Sequence, residues 1–321
     1  MTVHLSDADV ARLLPISDAI SATERAFRLL AAGDALNEGR QRSEMSGASL
    51  NVMWAIAPTE GVLGVKSYTV VRRDVTQGTT LTLLLYSTST GELLAVMEAN
   101  RLGQLRTGAA SAVATRALAR SAVRRLVMFG TGFQAEYQLR ALAAGLDGLQ
   151  SVRVVGRNPQ RRAAFIAAMR EALGLDIEAA TPEEAVRDAD VIVTATGSAE
   201  PVLQGNWLAP GVHINAVGSN VAAKAELDRG VLERSSLIVV DDRANAAREC
   251  GDLLRHGWGT DAATNLGDVL NGLAAGRQTQ QDITLFESQG LAIQDVVCAA
   301  LVYRRAIAVV EPGSCTSQEP T

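Results

Sequence analysis

The stretch DAISATERAFRLLAAGDA places Ile20, Thr23, Phe27 and Leu30 on one helical face, with Gly33 set to stop the helix. The period then shortens. LNVMWAIAP, LGVKSYTVV and TLTLLLYSTSTGELLAVME are short apolar runs broken by turn residues, and STSTGE between two apolar arms predicts a hairpin. RLGQLRTGAASAVATRALA returns to helix, rich in small residues that let neighbours approach closely. From residue 125 apolar runs alternate with helical stretches: RLVMFG, SVRVVGR, DVIVTATG, VHINAVGS and SLIVVDD. Apolar runs without alternation predict strands covered on both faces, and their exchange with helices predicts a parallel, doubly wound sheet. ITLFESQGLAIQDVVCAALVYRRAIAVV reads as a long helical pattern after a glycine break, and EPGSCTSQEPT as a disordered tail.

Composition narrows the class. The 321 residues are 47% apolar, 20% charged and 4% aromatic, ordinary for a globular protein long enough for two cores. A net charge of −5 gives no reason to expect nucleic acid or an anionic membrane as partner. No run of 18 apolar residues appears, and MTVHLSDADVARLLP lacks the apolar core of a signal peptide. Cys250, Cys298 and Cys315 fit neither a disulfide framework nor a zinc site, which points to a reducing cytoplasm. His4, His213 and His256 are scattered, so no metal site is expected; His213 and Cys250 read as structural.

Gly130-Thr131-Gly132-Phe133-Gln134-Ala135 follows a strand and opens a helix, the context that the dinucleotide fingerprint requires. Gly130 permits the sharp turn, Gly132 lets the backbone approach a pyrophosphate, and Ala135 is small enough for helix–strand packing. The pyrophosphate would rest on free N–H groups at the helix N-terminus. At the end of the next strand an NAD site would carry a carboxylate for the ribose hydroxyl. Here VVGRNPQRR offers Gly156 and Arg157, with Asn158, Arg161 and Arg162 nearby, so NADP(H) is favoured over NAD(H).

Together, LGVKSYTV, GELLAVMEANRLGQLRTGAASAVATRALA, FGTGFQAEYQL, VVGRNPQRR, ADVIVTATGSAEPVL, INAVGSN with ELD, and ITLFESQGLAIQD resemble the ornithine cyclodeaminase/μ-crystallin family, in family order along nearly the whole chain. The resemblance implies an α/β fold: a Rossmann domain over 111–299, and an α+β substrate-binding and dimerisation domain from 1–110 with 300–321. It implies a homodimer, and hydride transfer between a nicotinamide and the α-carbon of an amino or imino acid. It places Arg42, Lys66 and Arg106 on the substrate carboxylate, with Arg40 a rival to Arg42. Lys66 and Arg106 also lie in apolar surroundings where an unpaired charge is costly, which independently predicts an anionic partner. Thr79 or Thr80 would face substrate or nicotinamide. Thr131, Phe133, Gln134, Thr196, Gly197, Val217, Ser288 and Gly290 would line the cofactor.

One position departs from the pattern. Where the cyclodeaminases carry an acid/base aspartate, this chain has Asn220, and Ala222 replaces the usual proline. An amide cannot take up a proton, although it can orient water or substrate. Asp228 is the candidate replacement acid, on a helix eight residues on. Cyclodeamination demands repeated proton transfers; reduction of a supplied imine needs one hydride and one proton. The expectation is therefore an NAD(P)H-dependent reductase of an α-imino acid. The alternatives are an ornithine cyclodeaminase using Asp228 and a non-catalytic nucleotide-dependent binding protein. The substrate side chain is not written in the sequence; Met53-Trp54 departs from the family's Met-Pro without defining a pocket.

Overall fold

The computed structural model describes residues 2–71 and 80–310. Its first half runs β1 (Val3–Leu5), α1 (Asp7–Leu13), α2 (Ile16–Ala32), β2 (Leu36–Met45), β3 (Ala48–Ala57), β4 (Val62–Val71), β5 (Leu81–Ser87), β6 (Leu93–Glu98) and α3 (Asn100–Leu118). Ser6 and Asp9 form a capping box that starts α1, and Gly33 ends α2 in the left-handed conformation at φ 76°. Ile20, Thr23 and Phe27 are buried as their spacing requires. The strands form one sheet in the order β1-β6-β5-β4-β3-β2, antiparallel except for β1 on β6. The expected hairpin is β5–β6. The polar strand β2 needs only backbone pairing because it lies at the edge of the sheet.

The second half runs β7 (Arg125–Phe129), α4 (Phe133–Gly145), β8 (Ser151–Val155), α5 (Pro159–Leu173), β9 (Asp176–Ala179), α6 (Pro182–Val186), β10 (Val191–Thr194), β11 (His213–Ala216), α7 (Arg229–Arg234), β12 (Leu237–Val240), α8 (Arg243–Glu249), α9 (Gly251–Arg255), β13 (Thr264–Asn265), α10 (Leu266–Leu270), β14 (Thr284–Glu287) and α11 (Ala292–Val310). Its sheet is wholly parallel, in the order β13-β12-β14-β11-β10-β7-β8-β9. This is a Rossmann-type doubly wound sheet, and every residue of β10, β11 and β14 is buried.

At the head of the ITLFESQG stretch, where no strand is expected, residues 284–287 form β14 in the middle of the sheet, and helix begins at Ala292, after the break at Gly290. A run of four residues carries no period that separates strand from helix. The chain then leaves the parallel sheet, and α11 packs on β3, β4 and α2 of the first half. Gly64 of β4 makes room for it: a β-carbon there would lie 2.8 Å from Val296. The expected domain limits, residues 110 and 300, fall inside α3 and α11, the helices that join the two halves. No helix among the described residues is long and apolar enough to cross a membrane.

Candidate active site

The glycine turn after β7 opens a cleft of about 500 Å³. Gly130 has φ 114°, and a β-carbon there would strike the carbonyl oxygen of Ala195, so only glycine fits. A β-carbon at Gly132 would meet nothing within 4 Å, which leaves the N-terminus of α4 open. Gly132 caps that helix without a side-chain bond, and the buried Oε1 of Gln134 has no partner. The open, uncapped N-terminus of α4 fits the pyrophosphate of a dinucleotide, whereas Gln134 Oε1, an acceptor, would need a donor. Thr131, Arg157, Asn158, Arg161, Thr196 and Gly197 line the same cleft. Phe133 does not; it is 62% exposed, and its carbonyl accepts from Gln104. Asn158 accepts the Arg161 N–H at 2.8 Å and so caps α5, a local duty beside any ligand contact. Among the described residues the guanidinium groups of Arg157 and Arg161 make no bond to protein. Arg162 donates to the Gly156 carbonyl at 3.4 Å.

Two of the predicted cations meet on one carboxylate. Lys66 is 3% exposed, and its Nζ donates to Asp295 Oδ2 at 2.7 Å. Arg106 donates through Nε to the other oxygen of Asp295 at 3.2 Å and through Nη1 to Gln294 at 3.0 Å. The expected anionic partner is thus partly internal: α11 delivers one carboxylate to two buried cations. Burial pulls Lys66 down to about 8 against the pull of Asp295, with Arg106 reinforcing the fall. Burial alone would raise Asp295, but Arg106 and Lys66 outweigh it and hold its carboxyl below the usual range.

Arg40 and Arg42 lie in different environments. Arg40 is buried, paired with Glu249, and donates to the Gln289 carbonyl at 3.0 Å. Arg42 is exposed. Its Nε donates to the buried Asn51 at 2.8 Å, and Nη2 reaches the main-chain oxygen of Asn220 at 3.5 Å. The structure therefore brings together Arg42 and the loop after β11 that carries Asn220. Among the described residues Lys66 and Arg106 thus share the one carboxylate of Asp295, while Arg40 pairs with Glu249. Thr80 is exposed just before β5, whereas Thr79 lies outside the described residues.

Ser288 and Gly290 sit where the chain passes from β14 to α11. Asp241 holds this loop: its Oδ2 accepts from Gln289 N at 2.8 Å, Gly290 N at 2.6 Å and Ser288 Oγ at 3.3 Å. Gly290 is left-handed, and a β-carbon there would lie 2.6 Å from Arg106 Nη1. It is a loop residue that admits the guanidinium, not a helix start. Val217 is half-buried just beyond β11, and its N–H donates to the Thr194 carbonyl. Asp228 is not on a helix but immediately before one. Its Oδ1 accepts from Val231 N and Gly205 N, both at 2.9 Å, so it caps α7 and ties in a neighbouring turn. That duty gives Oδ1 of its carboxylate a structural role. His213 is fully buried between Thr284 and Asn215, and burial drives it down to about 3, which makes it a neutral core residue. Cys250 is buried and donates to Glu287 at 3.4 Å.

Residues 1–309 match the family model described as the ornithine cyclodeaminase/mu-crystallin family. The chain belongs to that family. A Delta(1)-pyrroline-2-carboxylate reductase of Bacillus cereus is 36% identical over 265 residues, 80% of this chain and 81% of its own. The solved structure of Thermococcus litoralis Delta(1)-pyrroline-2-carboxylate reductase with NADH and L-proline superposes with a TM-score of 0.91 at 30% identity, covering 96% of this chain and 98% of that one. An archaeal alanine dehydrogenase dimer with bound NAD gives a TM-score of 0.91 at 33% identity, covering 97% of each chain.

Within this family member, several residues that the sequence reading did not single out shape the site: Asp295, Gln294, Asn51, Asp241, Glu249 and Glu226. Asp295 was discoverable by the reasoning applied to Lys66, because an acid stands in the otherwise apolar GLAIQDVVCAALV. Glu226 is fully buried and accepts from Thr196 N at 2.7 Å and Gly218 N at 2.9 Å, joining the loops after β10 and β11. Asp252 in turn takes the N–H groups of Glu226 and Leu227, each at 2.7 Å.

These buried acids set a pH dependence. Burial pushes Glu226 up to about 7, Asp241 and Asp252 up to about 6, and Glu287 well above the usual range. Each is raised in the folded state, so folding takes up protons as pH falls from about 7 towards the ordinary carboxylate range near 4. His213 opposes with a single proton below about 6.5, and Lys66 acts only above about 8. Net uptake makes the apoprotein more stable as pH drops from about 7.5 to about 5.5. Differential scanning calorimetry should show the melting temperature rising by a few degrees over that interval; a flat or falling Tm contradicts the account.

Proposed function

We propose that this chain is an NAD(P)H-dependent reductase of an α-imino acid, cyclic or formed from a keto acid and an amine. The observation that carries the reading is the buried charge cluster in which two cations, Lys66 and Arg106, share the single carboxylate of Asp295. A substrate carboxylate supplies the missing negative charge, held by Lys66, Arg106 and the fork of Arg42. The bound nicotinamide supplies the hydride. Lys66, with its ammonium brought down to about 8, gives a proton to the substrate nitrogen near neutral pH. Asn220, on the loop held by Arg42, orients water or that nitrogen through its amide.

The capping duty of Asp228 favours the reductase over a cyclodeaminase, because it ties one carboxylate oxygen of the acid that the sequence offers in place of the family's aspartate to two backbone N–H groups. The free guanidinium groups of Arg157 and Arg161, at a strand end without a carboxylate, support NADP(H) as the preferred cofactor. A division into a Rossmann unit and a substrate-binding unit completed by α11 belongs to the same reading. So does a homodimer: Val52, Trp54, Ile56, Leu63, Val65 and Leu84 alternate with the buried side of the first sheet and are only half-buried, an apolar face suited to a second copy. The buried, free Cys250 and Cys298 suit a reducing cytoplasm.

The test is oxidation of NADPH and NADH at 340 nm with Δ1-pyrroline-2-carboxylate, Δ1-piperideine-2-carboxylate, and keto acids supplied with ammonia or methylamine. Turnover on at least one imine is expected, with no proline formed from ornithine. Cofactor binding without turnover on any imine would instead mark a binding protein. Lys66→Met should lower kcat/KM by about 10²-fold or more; unchanged turnover would remove Lys66 from the chemistry. Arg157→Ala should erode the preference for NADPH over NADH by about tenfold or more, the worth of a charge-assisted bond. Light scattering should return close to twice the 33.8 kDa chain mass, and a monomer would refute the dimer.

A further inference from the structure

We propose that Glu226 is a positioning residue for the nicotinamide half of the cofactor, fixing the peptide units that precede Thr196 and Gly218 so that the loops after β10 and β11 keep a set spacing and orientation. The proposal rests on the dinucleotide-dependent reading above. Glu226 does not touch solvent, so no substrate reaches it, and its part is indirect. Each carboxylate oxygen takes one backbone N–H, Thr196 at 2.7 Å on one side and Gly218 at 2.9 Å on the other. Its own backbone is pinned by Asp252, which accepts from Glu226 N and Leu227 N. The carboxylate therefore acts as a brace between two loops, held at its base.

The geometry of the peptide bond gives the brace its consequence. In a trans peptide the N–H and the preceding C=O point in opposite directions. With the Thr196 N–H on Glu226, the Ala195 carbonyl is turned to the far side, and there it crowds Gly130 of the cofactor turn. With the Gly218 N–H on the other oxygen, the Val217 carbonyl is likewise turned away from Glu226. A carbonyl fixed in this way is an acceptor for a carboxamide N–H₂, the group that distinguishes a nicotinamide from the adenosine end. Gly218 is bound into the same device: a β-carbon there would collide with the Glu226 carboxylate, so any side chain would push the brace out of place. A group serving packing alone would have no reason to be a carboxylate in a fully buried position, where charge is costly unless its bonds are used.

Two substitutions attack the brace from opposite sides. Glu226→Gln keeps the shape but sets an amide N–H₂ against a backbone N–H, and Gly218→Ala displaces the carboxylate without removing it. Equilibrium binding is measured by titration calorimetry for wild type and both variants, with NADPH and separately with 2′,5′-ADP, which lacks the nicotinamide half. The expected result is a rise in the Kd for NADPH of about tenfold or more in each folded variant, consistent with loss of one charge-assisted bond, and little change for 2′,5′-ADP. Equal weakening of both ligands, or unchanged NADPH binding, overturns the proposal. If one variant does not fold, the other decides. Imine turnover by the wild type is scored separately: its absence beside intact differential binding defeats the reductase reading alone, whereas turnover without differential binding defeats the part given to Glu226.

Discussion

Two buried cations share one carboxylate, and much of the architecture serves that arrangement. Lys66 comes from the first sheet, Arg106 from the helix that leaves it, and Asp295 from the last helix, which returns after the whole parallel sheet has been built. Desolvating such charges is expensive, and the attraction among them repays it only when the geometry is good and the remaining donors are occupied. Gln294 takes a further donor of Arg106, and Gly290 withholds a side chain where the guanidinium lies. The placing of α11 against β3 and β4 is thus an electrostatic requirement as well as an apolar one.

The same end of the molecule gathers loops from strands that are neighbours in space but not in sequence. The turns after β7, β10, β11, β12 and β14 all open at the carboxyl edge of the parallel sheet, where side chains of one loop can brace the backbone of another. Asp241 beyond β12 fixes the loop beyond β14, and Glu226 fixes the loops beyond β10 and β11. Acids that accept backbone N–H groups give these loops defined shapes without regular secondary structure. The preorganisation of this edge is built from carboxylates that never meet solvent.

What was legible in the sequence follows the range of the interactions concerned. The helix at 16–32, the hairpin of β5 and β6 and the glycine turn are local events, governed by period, turn chemistry and φ, and they stand out in a short window. The cations were legible for a different reason: a charge in an apolar run is uncomfortable wherever the run folds. β14 was not, because a run as short as Thr284–Glu287 looks alike in strand and helix, and β2 was not, because an edge strand can be polar. Nor could periodicity tell that Asp228 is a cap and Glu226 a brace. Both stand in one acidic segment, ELD, and only the fold decides which N–H groups each will meet.

Lys66 and its carboxylate are separated by 229 residues. During synthesis the first sheet is complete long before Asp295 leaves the ribosome, and until then its inward face carries a lysine with no counter-ion to bury against. The N-terminal half therefore lacks, throughout most of translation, the contact that neutralises its own interior, and the last helix acts as the closing element of a chain whose ends must find each other. Contacts of such long span slow the search for the native state. They also couple the integrity of the C-terminal helix to that of the first sheet: a ribosome that stops short of α11 releases a chain whose parallel sheet has all its strands but whose Lys66 and Arg106 lack their shared carboxylate.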